Sequence, residues 1–289
     1  MSNANLTVFQ TAERHHMNPL QLFLRPLAIS CIVATVAFGP GIAQEKATPY
    51  QPEVGQSGKD VVWVPTPQAL VDRMLDMAKL TVDDYVIDLG SGDGRTVITA
   101  AKRGVKALGI EYNPNMVELA RRNANAAGVS DKATFIQGDI FESDFSKATV
   151  VTLFLLPELN LRLRPTLLEM KPGTRVASNT FDMADWEPDA VYSVGDGCER
   201  FCDASLWIIP AKVAGTWQLP QGELTLEQKY QMLTGTLKST SGTTPIADGK
   251  MHGSQITFKV GDVVYKGEVN GNTMEGVFST ETKWQGVRQ

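Results

Sequence analysis

Short apolar runs alternate with amphipathic stretches through the first two thirds of the chain. Val86–Leu89, Lys106–Glu111, Ala133–Gln137 and Thr149–Leu155 are brief and mainly apolar, as strands buried on both faces are. Between them, Gln68–Ala78 and Pro114–Ala127 carry helical patterns; Met116, Val117, Leu119 and Ala120 form the apolar stripe of the second, and Pro114 suits a first helical turn. Strand followed by helix, repeatedly, predicts an α/β sheet. After Pro210 the period shortens. Gly215–Leu219, Leu224–Leu237, Gln255–Val260, Val263–Val269 and Thr273–Phe278 alternate or run apolar, and Gly261-Asp262 and Asn270-Gly271 are hairpin signals. This predicts a small antiparallel all-β domain, a meander or small lipocalin-like barrel, with Trp217, Tyr230, Tyr265 and Trp284 in its core.

The candidate chemistry sits where the first strand ends. Val86-Ile87-Asp88-Leu89-Gly90-Ser91-Gly92-Asp93-Gly94 runs a strand into glycines spaced two apart and then into a helix. Glycine lets the backbone turn through φ > 0 and approach a ligand closely. A dinucleotide fingerprint would read G-x-G-x-x-G and place a diphosphate at the helix N-terminus. Here the spacing is G-x-G-x-G, with Asp88 and Asp93 beside it, and two carboxylates repel a diphosphate. They suit a ligand with a cationic end, such as S-adenosyl-L-methionine. Glu111 closes the second strand 17 residues after Gly94, where a ribose diol would donate to it. Asp139, after the third strand, can accept from an adenine amino group, with Ile140 or Phe141 covering the ring. The expected cofactor residues of this loop and these tips are Asp88, Gly90, Ser91, Gly92, Asp93, Gly94, Glu111, Asp139 and Ile140.

With these motifs the chain resembles the class I, seven-strand S-adenosylmethionine-dependent methyltransferases over about Val61–Ile209. Val62-Trp63-Val64-Pro65-Thr66-Pro67, Thr152–Asn160 and Lys171–Val176 are similar to the mitochondrial lysine methyltransferases that modify the ATP synthase c-subunit and the adenine nucleotide translocator, and more distantly to non-SET histone lysine methyltransferases. The resemblance implies a Rossmann-like seven-stranded doubly wound sheet, with Ala190–Val194 and Ser205–Ile209 as its terminal antiparallel hairpin. It also implies that Pro65 and Thr66 lie over the methionine end of the cofactor.

The implied reaction is methyl transfer to a protein acceptor, a lysine amine, by in-line displacement; no metal is expected. Leu156-Pro157-Glu158-Leu159-Asn160 follows the fourth strand, where the acceptor enters such a fold. It lacks the Asn/Asp-Pro-Pro-aromatic sequence used on base or glutamine amides. Glu158 and Asn160 are the candidate catalytic residues: Glu158 would orient an incoming ammonium, against the plainer reading of a first-turn helix acid, and Asn160 could also cap the helix that follows. The three histidines are His15, His16 and His252, so the cofactor region has no imidazole base, and no G-x-x-x-x-G-K-[ST] loop occurs. A small-molecule methyltransferase and a non-catalytic binding module on the same scaffold are the alternatives.

Charge and leader set the partners. The net charge is −5 without a basic run in the folded region, so no nucleic-acid footprint is expected and a lysine-bearing protein substrate meets a favourable sign of field. Oligomeric state has no signature here. Arg25, the 12-residue apolar run Leu27–Phe38 and Gly41-Ile42-Ala43 form a signal-peptide pattern too short to span a bilayer. The expected organisation is a leader over 1–43, a linker over 44–60, the methyltransferase domain over 61–210 and the β domain over 211–289. An exported or periplasmic protein follows if the leader is used, a cytoplasmic one if it is not. Cys198 and Cys202 could then pair, with free thiols as the alternative.

Overall fold

The computed structural model describes residues 49–195 and 199–289. The leader, Cys31 and Cys198 lie outside the described residues. Among those described, no helix is long and apolar enough to cross a membrane.

The sheet contains β1 (Tyr85–Leu89), β2 (Lys106–Glu111), β3 (Ala133–Gln137), β4 (Val150–Leu153), β5 (Arg175–Asn179), β6 (Ala190–Ser193) and β7 (Asp203–Ile208), in the order β3-β2-β1-β4-β5-β7-β6. Strands β1 to β5 pair in parallel, whereas β7 pairs antiparallel with both β5 and β6, so the expected terminal hairpin is present. The order reverses between β1 and β4, the switch point at which such sheets bind ligands.

Alternation along each strand divides the core. Val86, Ala107, Ala133, Val150 and Ala177 face α1 (Gln68–Met77), α2 (Arg95–Lys102) and α3 (Pro114–Ala126). Ile87, Leu89, Ile110, Val151, Leu153 and Val176 face Leu163 and Leu167 of α4 (Pro157–Leu168), with Trp186 and Trp207. This two-sided burial is why the strands read as apolar runs. Asn113 caps α3 by accepting from the Asn115 N–H at 2.9 Å, with Pro114 at the first helical position.

The C-terminal strands β8 (Gly215–Leu219), β9 (Gly222–Lys229), β10 (Met232–Ser239), β11 (Gly242–His252), β12 (Gln255–Val260), β13 (Val263–Asn270), β14 (Thr273–Phe278) and β15 (Lys283–Arg288) form a closed antiparallel barrel. Its interior is packed with side chains; Phe258 and Tyr265 stack at 4.5 Å, with Trp284 edge-on at 5.5 Å from Tyr265. Three expectations need correction. The stretch Leu224–Leu237 is two strands, because Tyr230 takes φ +53 and closes a two-residue turn between Lys229 and Met232 without glycine. The turn after β13 is centred on Gly271-Asn272, one residue later than its signal. Tyr230 lies not in the barrel core but against Trp186, at 5.6 Å, with its hydroxyl donating to Asp185 at 3.0 Å. The β9–β10 turn thereby plants the barrel on the sheet, and Gln231 Nε2 donates to the Glu187 carbonyl at 2.7 Å. At this junction Lys229, Tyr230 and Arg164 hold the Asp185 carboxyl down at about 2.

Candidate active site

The carboxyl ends of β1, β2 and β4, with the loops after β3 and β5, open into a cavity of about 520 Å3, within the range of small-molecule sites. Its floor is the glycine elbow. Gly90, Gly92 and Gly94 have φ of +82°, +53° and +84°, and the Gly90 and Ser91 N–H groups both donate to the Ile110 carbonyl, at 2.8 and 3.1 Å. Of the cofactor candidates, Pro65, Thr66, Asp88, Gly90, Ser91, Gly92, Asp93, Glu111, Asp139 and Ile140 line the cavity. Gly94 does not. It starts α2, and a Cβ there would stand 2.7 Å from Phe135 Cζ and 2.9 Å from Ala120 Cβ, so this glycine serves packing. Gly94→Ala therefore meets both an unfavourable φ and a clash, together about 3 kcal/mol. A thermal melt should show a fall of roughly 6–12 °C. An unchanged melt would mean that this elbow tolerates a side chain.

The acids differ in environment. Asp88 is 7% exposed and accepts from Thr152 Oγ1 at 2.6 Å, its cross-strand neighbour. Burial pushes its carboxyl up to about 7; the negative charges of Glu111 and Asp93 add to the rise, and the Thr152 and Thr96 hydroxyls oppose it. Asp93 is paired with Arg95 through two bonds, Nε to Oδ1 at 3.0 Å and Nη2 to Oδ2 at 2.6 Å. That pairing changes the electrostatics expected from the motif: Arg95 offsets Asp93, and the unpaired buried acid is Asp88. Glu111 accepts from the Gly92 N–H at 3.0 Å and the Asn113 N–H at 2.9 Å, so it fixes the elbow from the next strand.

Asp139 accepts from the Phe141 N–H at 2.9 Å and forms an ion pair with Lys59, which lowers its pKa. Lys59 belongs to a short strap in what the composition suggests is a linker. Gly55 N–H donates to the Trp63 carbonyl at 2.8 Å, Trp63 N–H to the Gln56 carbonyl at 2.9 Å, and Gly58 N–H to the Val61 carbonyl at 2.9 Å, folding 55–63 back on itself. Gln56 to Thr66 line the cavity, and the Lys59 ammonium lies 4.9 Å from the Tyr112 ring centroid. Trp63 Nε1 stands 2.8 Å from where a Gly92 Cβ would be, so the middle glycine makes room for the strap. Past the strap, Thr66 is held by Arg95 Nη1 at its carbonyl, 2.6 Å, and by Asn179 Nδ2 at its hydroxyl, 3.2 Å. Lys59, Trp63 and Tyr112 are site residues that the motifs do not mark; Trp63 in the extended entry Val62–Pro67 was the available signal.

Glu158 and Asn160 are elsewhere. Glu158 is exposed in the first turn of α4 and does not line the cavity. Asn160 is not a cap: Leu156 is the N-cap, and Asn160 lies fully buried inside the helix, with Nδ2 donating to the carbonyls of Phe181 at 3.1 Å and Asp182 at 3.2 Å. The helix begins earlier than expected because Pro157 supplies its first position. Among the described residues, no cluster of His, Cys, Asp and Glu could hold a metal ion.

The family model described as the ANTKMT methyltransferase domain matches residues 88–190. A protein-lysine N-methyltransferase of Saccharolobus islandicus is 49% identical over 140 residues, covering 47% of this chain and 87% of that protein. The chain belongs to that methyltransferase family. It is also 35% identical over 144 residues to the human ATP synthase C-subunit lysine N-methyltransferase, covering 50% of this chain and 61% of that one. The mouse counterpart is 38% identical over 115 residues, and the methyltransferase spans about half of its length (46%). A solved structure from Salinibacter ruber, titled as an RNA methyltransferase with S-adenosyl-L-homocysteine, is 49% identical with a TM-score of 0.49, over 52% of this chain and 96% of that one. The protein is a class I methyltransferase and its cofactor is S-adenosyl-L-methionine. The cavity residues fit that group: Ser91 Oγ is a buried hydroxyl without a protein partner, Asp88 offers a desolvated carboxyl, and Met116, Leu155 and Ile140 give apolar walls.

Proposed function

We propose that this methyltransferase modifies a lysine side-chain amine on a protein. The observation that carries the reading is the 49% identity across 87% of a relative named for that activity. In this reading Pro65 and Thr66 cover the methionine end, Asp88 and Ser91 face its polar groups, Gly90, Gly92 and Asp93 shape the floor, Glu111 takes the ribose, and Asp139 and Ile140 take the adenine. When bound, the cofactor would supply an electrophilic methyl group on a sulfonium for in-line transfer to the amine, whose proton would leave to water.

The chain's own part is placement and desolvation. Holding amine and methyl carbon in register can contribute on the order of 7–11 kcal/mol. An ammonium with a pKa of about 10.4 must also be presented neutral, which an apolar approach favours. Among the described residues no imidazole lines the site for that step, and His252 lies in β11 of the barrel. For localisation we infer an exported or periplasmic enzyme: the leader-like residues 17–43 favour it, and Cys202, which is disulfide-bonded, suits an oxidising compartment.

Incubating the purified protein with a cell lysate and radiolabelled cofactor should place label in protein, recovered after hydrolysis as methylated lysine. Label confined to nucleic acid or to solvent-extractable molecules would overturn the lysine assignment.

A further inference from the structure

Three phenylalanines outside the residues assigned to the cofactor stand together in the cavity wall. Phe154 follows β4 directly, Phe181 lies two residues past β5, and Phe201 two residues before β7, so three neighbouring strands each deliver one ring. The ring centroids are 5.2 Å apart for Phe154 and Phe201, and 6.1 Å for each of the other two pairs.

Their backbone is held in costly conformations. Phe181 N–H donates to the Asn179 carbonyl at 2.6 Å around Thr180, a β-branched residue at φ +59, and Phe201 itself sits at φ +57. Such conformations cost of order 1–3 kcal/mol each and persist where the surroundings over-determine them, commonly at ligand clamps. Here Asn160 Nδ2 and Ser178 Oγ both donate to the Phe181 carbonyl, at 3.1 and 2.7 Å, and Thr180 N–H donates to the Asp203 carbonyl at 2.7 Å. Asn160 is thus a positioning residue for Phe181.

We propose that Phe154, Phe181 and Phe201 form the acceptor wall, which takes the lysine stem along its rings and the side-chain nitrogen against their faces. This rests on the lysine reading. Rings offer a primary ammonium no hydrogen-bond acceptor to replace water, which favours the neutral amine; once methyl groups replace N–H, the cation fits the same apolar π-faces better. The wall therefore retains partly methylated lysine and drives the reaction toward the trimethylated product.

The test compares wild type with Phe201→Ala and with Phe201→Leu, which keeps bulk but removes the ring. Calorimetry should give cofactor affinities within about twofold of wild type. NMR titration of the protein, saturated with S-adenosylhomocysteine, with N-acetyl-trimethyllysine methylamide should show binding that weakens about fivefold in both variants. Mass spectrometry of the labelled acceptor should show trimethyllysine giving way to monomethyllysine. If wild type methylates lysine but does not bind the trimethyllysine probe, or if both variants bind it and distribute methyl groups like wild type, the wall assignment fails while the lysine reading stands. If wild type binds the probe yet forms no methyllysine, the lysine reading fails instead.

Discussion

Replacing Glu111 with alanine is expected to weaken cofactor binding about a hundredfold, measured by calorimetry with S-adenosylhomocysteine. Its carboxylate ends β2 facing the cavity and already accepts from Gly92 and Asn113 N–H groups at 3.0 and 2.9 Å, which fixes its rotamer. A ribose diol would add two charge-assisted bonds, each worth roughly 1.5–3 kcal/mol. Alanine loses those bonds and also orphans the Gly92 N–H, so the elbow loosens as the ligand contact disappears. The sum exceeds a hundredfold on paper, but water recovers part of it in the partly exposed site. Glu111→Gln keeps one acceptor oxygen and should cost about tenfold. An alanine variant that binds within twofold of wild type would remove Glu111 from the cofactor site.

The sheet was legible because its chemistry sits at its punctuation. An apolar run buried on two faces ends at a strand tip, and Asp88, Glu111 and Asp139 stand at or just beyond three such tips, so period and polarity together marked the cavity. What stayed hidden has no period. The strap is fixed by backbone bonds and one ion pair, and Lys59 in a polar stretch resembles any solvated lysine. The phenylalanine wall joins residues far apart in sequence, and the positive φ values of Thr180 and Phe201 contradict the residue types, which is expected where function overrides local preference.

The barrel was half legible for a related reason. Strand β15 shows little alternation in the sequence because Gly286 takes an inward position that an apolar side chain would otherwise mark; a Cβ there would lie 2.9 Å from Met274 Cγ. On the two sides of β11, register shifts between Leu233 and Thr236 of β10 and between Ala247 and Lys250 of β11 itself break the alternation.

Cofactor affinity is expected to rise with pH until Asp88 has ionised. In the ligand-free protein burial holds its carboxyl at about 7, so near neutrality it is half protonated. A cationic ligand favours the carboxylate, and below that value binding must expel the proton. The dissociation constant of S-adenosylmethionine should therefore fall about tenfold per unit as pH rises from 5 toward 7, then level off. Stability of the free protein moves the other way. The folded pKa lies above the unfolded one, so the protonated acid contributes stability that is complete below about 4 and lost as pH rises through about 7. Cofactor-induced stabilisation in a thermal melt should consequently grow across that window. Asp88→Asn keeps the Thr152 contact and removes the titration, so its affinity should stay at the low-pH level throughout. If the wild-type dissociation constant is flat between pH 5 and 8, Asp88 does not meet the cationic end of the cofactor, and the electrostatic reason for choosing this ligand over a diphosphate goes with it.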